Sequence, residues 1–217
     1  MEVLILIDCN YNEKKQNERE YTSLKQNHNR CAWVGNDPLY IKYHDQEWGQ
    51  PQYNSLKLFE KICLEGQQAG LSWITVLKKR DEYRRCFFNF DPQKIVNLTD
   101  QDVEKMLHNT GLIRHRLKLT AIIKNAQAYI NMQKKGEDFA EFIWSFVDGK
   151  PIVNFYHTLQ EVPTSTDISK QMSKALRKRG FTFVGETICY AFMQSMGLVN
   201  DHLLDCYCRT TINSEKS

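Results

Sequence analysis

A single acidic side chain, Glu65, closes an apolar helical face and stands before two glycines in Cys63-Leu64-Glu65-Gly66-Gln67-Gln68-Ala69-Gly70-Leu71-Ser72-Trp73. The glycines predict a non-helical break joining two helices, and a carboxylate at such a junction can point into a cleft. Trp73 follows one turn after the break. Upstream, Trp33, Tyr40, Tyr43 and Trp48 crowd into sixteen residues beside Asp45 and Glu47. Aromatic faces with an acid can hold a flat, electron-poor or cationic heterocycle by stacking, cation–π attraction and hydrogen bonding. Taken one by one, the same residues fit buried core rings and a helix-end charge equally well.

A second set of reactive side chains is split between the two ends of the chain. Cys31 and His44 lie early; His202, Cys206 and Cys208 lie late. His202 and Cys206 are four apart and would share one face of a helix. Cys31 and His44 need a loop or turn between them. Together Cys31, His44, His202 and Cys206 could form a tetrahedral Cys₂His₂ set, which suits one structural zinc ion. No C-x₂-C is present, so spacing alone leaves free thiols and ordinary histidines open. Cys63, Cys86 and Cys189 fall on apolar helical faces as core residues, and Cys9 belongs to a polar leading segment.

A third feature is basic. Lys170, Lys174, Arg177, Lys178 and Arg179 face Asp167 alone between residues 167 and 180, and lead into Gly180-Phe181-Thr182-Phe183-Val184-Gly185. This glycine-bounded link joins two helices, and free amides at the start of the second could bind a phosphate oxygen. Neighbouring cations such as Lys178 and Arg179 would add sequence-independent attraction to a nucleic-acid backbone. A solvated helix face with an ordinary turn has the same composition.

The elements that must position these groups read as helices. Ser55 precedes Leu56, Leu58, Phe59, Ile62 and Cys63 at helical spacing. Ser72 can cap a helix running on through Tyr83 towards Phe87. Thr99 with Asp100 and Asp102 starts another that Gly111 closes. Further helices run through Leu117–Tyr129, Phe139–Phe146, Thr166–Gly180 and Gly185–Gly197. Period-two alternation is absent after residue 30, so the expected class is all-α.

Length and composition bound the rest. The chain has 217 residues, with 41% hydrophobic and 25% charged, which suits one compact domain with a tail and excludes wholesale disorder. Residues 1–30 form a polar N-terminal extension, residues 31–208 the domain, and residues 209–217 a C-terminal tail. No apolar run is long enough to span a membrane. Val3–Ile7 lacks a basic leader, so a cytoplasmic location with reduced thiols is expected. The net charge is only +3, so a polyanion site must be a local patch.

Several stretches taken in order resemble the 3-methyladenine DNA glycosylase I family of the helix-hairpin-helix superfamily. They are Asp37-Pro-Leu-Tyr-Ile, Tyr43-His-Asp-Gln-Glu-Trp-Gly, Cys63 to Lys79, Gly111-Leu-Ile-Arg-His-Arg, Pro163-Thr-Ser-Thr, Lys178-Arg-Gly-Phe-Thr-Phe-Val-Gly and Gly197-Leu-Val-Asn-Asp-His. The resemblance spans residues 31 to about 208. It implies a helix-hairpin-helix glycosylase-like domain, with zinc on Cys31, His44, His202 and Cys206 joining the chain ends. It implies a base pocket of Glu65, Tyr43 and Trp73, with Trp33 lining it and Glu65 as the catalytic group. The hairpin falls on Gly180 and Gly185, with Lys178 and Arg179 at DNA.

The implied reaction is hydrolytic release of 3-methyladenine from alkylated double-stranded DNA by a monomer. The nucleotide leaves the duplex before the base is bound. The family lacks the aspartate that many helix-hairpin-helix glycosylases carry after the hairpin helix. Asp201 lies near that place but adjoins His202 and is given no such role. No lysine adjoins the Glu65 segment before Lys78, so neither a Schiff base nor strand cleavage is expected. The competing class is a zinc-stapled DNA-binding module without catalysis. A zinc deaminase is disfavoured, because H-x-E with P-C-x-x-C is missing.

Overall fold

The computed structural model describes residues 28–211, so most of the expected extension and tail lies outside the described residues. Eleven α-helices appear among them: α1 (Pro38–Gln46), α2 (Ser55–Gln68), α3 (Trp73–Leu77), α4 (Arg80–Cys86), α5 (Pro92–Ile95), α6 (Asp100–Leu107), α7 (Arg116–Lys134), α8 (Phe139–Trp144), α9 (Asp167–Lys178), α10 (Glu186–Ser195) and α11 (Cys208–Thr211). Two-residue strands β1 (Ile152–Val153) and β2 (Val199–Asn200) pair in parallel, a pairing too short to read from alternation. The all-α expectation holds. None of the described helices is long and apolar enough to cross a membrane.

Local chemistry explains most helix starts. Asp37, Asn54, Asp91, His115 and Asp138 each accept a backbone N–H at the start of a helix. Thr99 and Thr166 form reciprocal capping boxes with Asp102 and Ser169. Ser72 behaves otherwise: its hydroxyl pairs with Thr75 Oγ1 and caps no backbone group. The single helix expected from Ser72 to Phe87 is two, with a turn at Lys78–Lys79. That turn lets Tyr83 enter the core while Arg80 reaches Glu47.

Helix α2 is the central element. Its residues 58, 59 and 61–67 are all buried, and it packs against α3, α7, α8 and α10. Gly66 lies inside it, where a Cβ would come within 3.1 Å of Phe183 Cβ and O, so the 180–185 link rests on α2 beside Glu65. Only Gly70, at φ +76, breaks the chain. Glu65 therefore sits one turn inside a helix, not at the junction the sequence suggested.

The chain ends meet by close backbone approach. Gly197 has φ +70, and a Cβ there would stand 2.4 Å from Pro51 N and 2.5 Å from Gln50 C. This contact seats segment 197–202 against the turn after α1. Gly197→Ala combines left-handed strain with a backbone clash and should cost on the order of 3 kcal/mol, about 6–12 °C in Tm. A thermal melt matching the parent would show that the segment can shift freely. Residues 28–30 are docked as well: His28 stacks on Tyr207, and Asn29 O accepts from Tyr207 N.

Candidate active site

The Glu65 side chain is 3% exposed and faces a buried cation that the sequence reading missed. Lys61, one turn earlier on α2, places Nζ 3.1 Å from Glu65 Oε1. The same ammonium donates to Tyr43 OH at 2.6 Å and lies 3.4 Å from the Trp73 ring centroid. The expectation that no lysine adjoins this segment is thus corrected. Lys61 falls among Leu58, Phe59 and Ile62 on the apolar face, four residues before an acid, and that i,i+4 pairing was the available signal. Burial pushes the Lys61 ammonium down to about 8, against the pull of Glu65.

The aromatic side chains converge on this pair. Tyr43 and Trp73 have ring centroids 5.5 Å apart, and Trp33 lies 4.9 Å from Tyr40 and 5.1 Å from Trp48. Glu65, Tyr43, Trp73 and Trp33 line one cavity of about 190 Å³ with Tyr40 and Trp48. Burial, then Glu65, raises the Tyr40 phenol to about 12, and burial raises Tyr43 well above the ordinary range. Both hydroxyls stay neutral at physiological pH. Trp73 Nε1 is buried with no partner among the described residues, leaving a donor free in the pocket wall.

The far wall comes from segments with no local signature. Leu159, Val162, Ala191, Gln194 and Asp201 close the cavity. Asp201 is buried and saturated. Oδ2 accepts from Tyr190 OH at 2.6 Å and Gln194 Nε2 at 2.8 Å, and Oδ1 accepts from Asn154 Nδ2 at 2.7 Å. The β1–β2 pairing places Asn154 there. A carboxylate with three donors is a structural anchor in the pocket wall.

Cys31, His44, His202 and Cys206 are all buried, and their ligand atoms lie within 4.8 Å of one another. Cys206 Sγ is 3.5 Å from His44 Nε2 and 3.4 Å from His202 Nδ1, and Cys31 Sγ is 3.6 Å from His202 Nδ1. Ordinary Zn–S and Zn–N bonds at a tetrahedral angle separate sulfur from nitrogen by about 3.6 Å. The donor set therefore fits a tetrahedral ion. His44 Nδ1 lies 2.8 Å from Asp45 Oδ1, and His202 Nε2 lies 3.3 Å from Trp48 O, partners that would orient each ring. Hydrogen bonds from Cys208 and Cys31 hold the Cys206 thiol far down. His202 and Cys206 do not share a helix as their spacing suggested: residues 201–207 form a loop, and α11 begins at Cys208.

The basic link is built as a tight connection. Gly180 has φ +96 and Phe183 φ +54, Thr182 N donates to Asn125 Oδ1, and Ser173 Oγ donates to Val184 O. Gly185 caps α10 without a side chain, so no cap side chain accepts from its first amides. Lys178 is exposed. Arg179 instead bonds Glu137 through Nε at 2.8 Å and lies 4.0 Å from the Phe142 ring centroid. The structure brings the expected pocket residues together and the four Cys and His side chains together, and leaves Lys178 exposed while Arg179 is paired with Glu137.

The methyladenine glycosylase family model matches residues 33–210. A DNA-3-methyladenine glycosylase of Haemophilus influenzae is 65% identical over 182 residues, which are 84% of this chain and 98% of that protein. The crystal structure of a 3-methyladenine DNA glycosylase I superposes with a TM-score of 0.82 at 61% identity, covering 83% of this chain and 99% of the other. A variant of 3-methyladenine DNA glycosylase I in complex with 3-methyladenine gives 0.80 at 39% identity, covering 83% and 97%.

Proposed function

The chain belongs to the methyladenine glycosylase family and is a DNA N-glycosylase for 3-methyladenine in alkylated DNA, and we propose that its pocket binds the extruded base between Tyr43, Trp73 and Trp33 with Glu65 as acceptor. The observation that carries this reading is a buried carboxylate and three aromatic rings on one cavity. These enzyme relatives set aside a DNA-binding module without catalysis.

Methylation at N3 makes adenine cationic, so its glycosidic bond is weakened before any protein acts. The protein's work is to extract the nucleotide, at a cost of a few kcal/mol, and to hold the base while water takes its place on the sugar. Glu65 offers only acceptors, which match the amino edge of adenine and complement a cation. Normal adenine lacks the charge and gains less. The reaction is simple hydrolysis without strand cleavage. The test is chromatography of free base released from methylated duplex DNA by the parent and by Glu65→Gln.

Residues 31–208 form the catalytic domain, and α9, the 180–185 link and α10 act as the helix-hairpin-helix on DNA. Lys178, Gly180 and Gly185 meet the phosphate backbone, while Arg179 straps the link to Glu137 and supports it. Lys178→Ala should weaken binding uniformly and lower the salt slope by about one, whereas Arg179→Ala should leave the slope unchanged. Titration of DNA binding against salt reads both. Equal slopes for Lys178→Ala and the parent would make this stretch a solvated face.

The Cys31, His44, His202 and Cys206 set would hold one structural zinc ion. Zinc there supplies a cross-link between the chain ends, and the reaction takes place on the other side of Tyr43 and Asp201.

A further inference from the structure

We propose that Lys61 is a positioning residue for bond cleavage: by holding Glu65 in an ion pair, it lets the carboxylate recognise the methylated base without trapping that base's positive charge. The inference rests on Glu65 being the group that meets the base. It concerns a residue that no motif in the chain singled out.

When the C1′–N9 bond breaks, both bonding electrons go to the base, which leaves neutral. The positive charge moves to the sugar. Water then adds at C1′ and its proton passes to solvent. A buried carboxylate with no counter-ion would favour the cationic bound base over the neutral departing one. Stabilisation present in the ground state and lost in the transition state tightens binding and slows the chemical step. A cation within 3.1 Å of Oε1 cancels much of that field. Oε2 still offers lone pairs to the base, so hydrogen-bond recognition survives.

The contacts of Lys61 are those such a role needs. Its ammonium touches three of the pocket groups at once: Glu65 Oε1, Tyr43 OH and the face of Trp73. It is therefore tied both to the acceptor and to two of the rings the base would lie against. It is nearly inaccessible, with its side chain 7% exposed. The other charged or titratable groups around it are Tyr43 and Glu47 from α1 and its end, Arg80 and Arg84 from α4, paired with Glu47 and Glu60, and Lys57 and Glu60 on α2 itself. Glu47 and Arg80 offset each other, leaving the Lys61–Glu65 pair to set the field in the pocket.

The test is single-turnover release of 3-methyladenine from methylated duplex DNA by Lys61→Met and Lys61→Arg, with half-saturation and rate measured separately. Lys61→Met should lower the rate about tenfold and tighten half-saturation several-fold, and Lys61→Arg should restore both. The parent rate should also fall above pH ~8, as the ammonium loses its proton, while Lys61→Arg shows no such limb. A rate that falls together with weaker binding would mark a merely structural role and overturn the proposal, as would an unchanged rate. If Lys61→Met does not fold, the pH comparison decides alone: a limb that persists in Lys61→Arg overturns it. Glu65→Gln, run alongside, keeps the two readings apart. Full excision by that variant removes the pocket assignment, whereas lost excision with Lys61→Met indistinguishable from the parent removes only the role of Lys61.

Discussion

Glu65→Gln is expected to leave duplex affinity unchanged and to lower 3-methyladenine excision roughly ten- to a hundredfold. The loss corresponds to one charged hydrogen bond in a desolvated site, about 1.5–3 kcal/mol. Gln keeps the size and one acceptor, removes the charge, and sets an amide donor against the donor edge of adenine. Lys61 adds a consequence for stability. Without Glu65 its buried ammonium keeps Tyr43 OH, the Tyr43 and Trp73 faces and the more distant Glu47, and breaking one side of a buried pair costs up to about 3–5 kcal/mol. A lower melting temperature is therefore expected with the activity loss. The double variant Glu65→Gln with Lys61→Met removes the orphaned charge, so it should regain stability and stay inactive. Excision that returned with stability would make Glu65 a packing partner and nothing more.

Helix positions were legible wherever a cap and an apolar face coincided, as at Thr99, Thr166 and the run from Leu58 to Cys63. The pocket residues Glu65, Tyr43, Trp73 and Trp33 were legible as types and became a site only through α2, α1 and α3 packing together. Three features could not be read locally. The Lys78–Lys79 turn carries neither glycine nor proline. Strands β1 and β2 are two residues long, so alternation has nothing to act on. The far wall, from Leu159 to Asp201, is assembled by contacts distant in sequence. Lys61 is a different failure: its spacing to Glu65 was visible, but lysine on an apolar face reads as a snorkelling surface residue until burial is known. His202 and Cys206 converge through a loop, so the four side chains gather as the spacing suggested but by a local structure other than the expected helix.

If zinc occupies the Cys31, His44, His202 and Cys206 cluster as proposed, removing it is expected to have the largest effect on stability, and the size of that effect follows from the chain separation it closes. Cys31 meets His202 across 171 residues and His44 meets Cys206 across 162. A cross-link closing a loop of a hundred residues or more contributes about 5 kcal/mol through the unfolded state. For a chain of this length that is roughly 10–20 °C in Tm. The 10–16 kcal/mol typical of zinc-finger peptides is an upper bound here, because the buried apolar side chains of α2, α7 and α10 supply a core that such a peptide lacks. Activity should fall before the fold does. His44 follows Tyr43 directly, and His202 follows Asp201, so two of the proposed ligands each adjoin a residue of the cavity wall. Loss of the ion would free both walls to move apart, and a base held between rings tolerates little displacement. Protein purified without chelator should contain one zinc per chain. After chelator exchange, excision measured well below the apo melting temperature should already be reduced, and Cys206→Ser should reproduce both changes. Metal analysis finding no zinc in fully active protein would sink this assignment, and would leave the cluster as a buried thiol–imidazole network joining the two ends of the chain by hydrogen bonds alone.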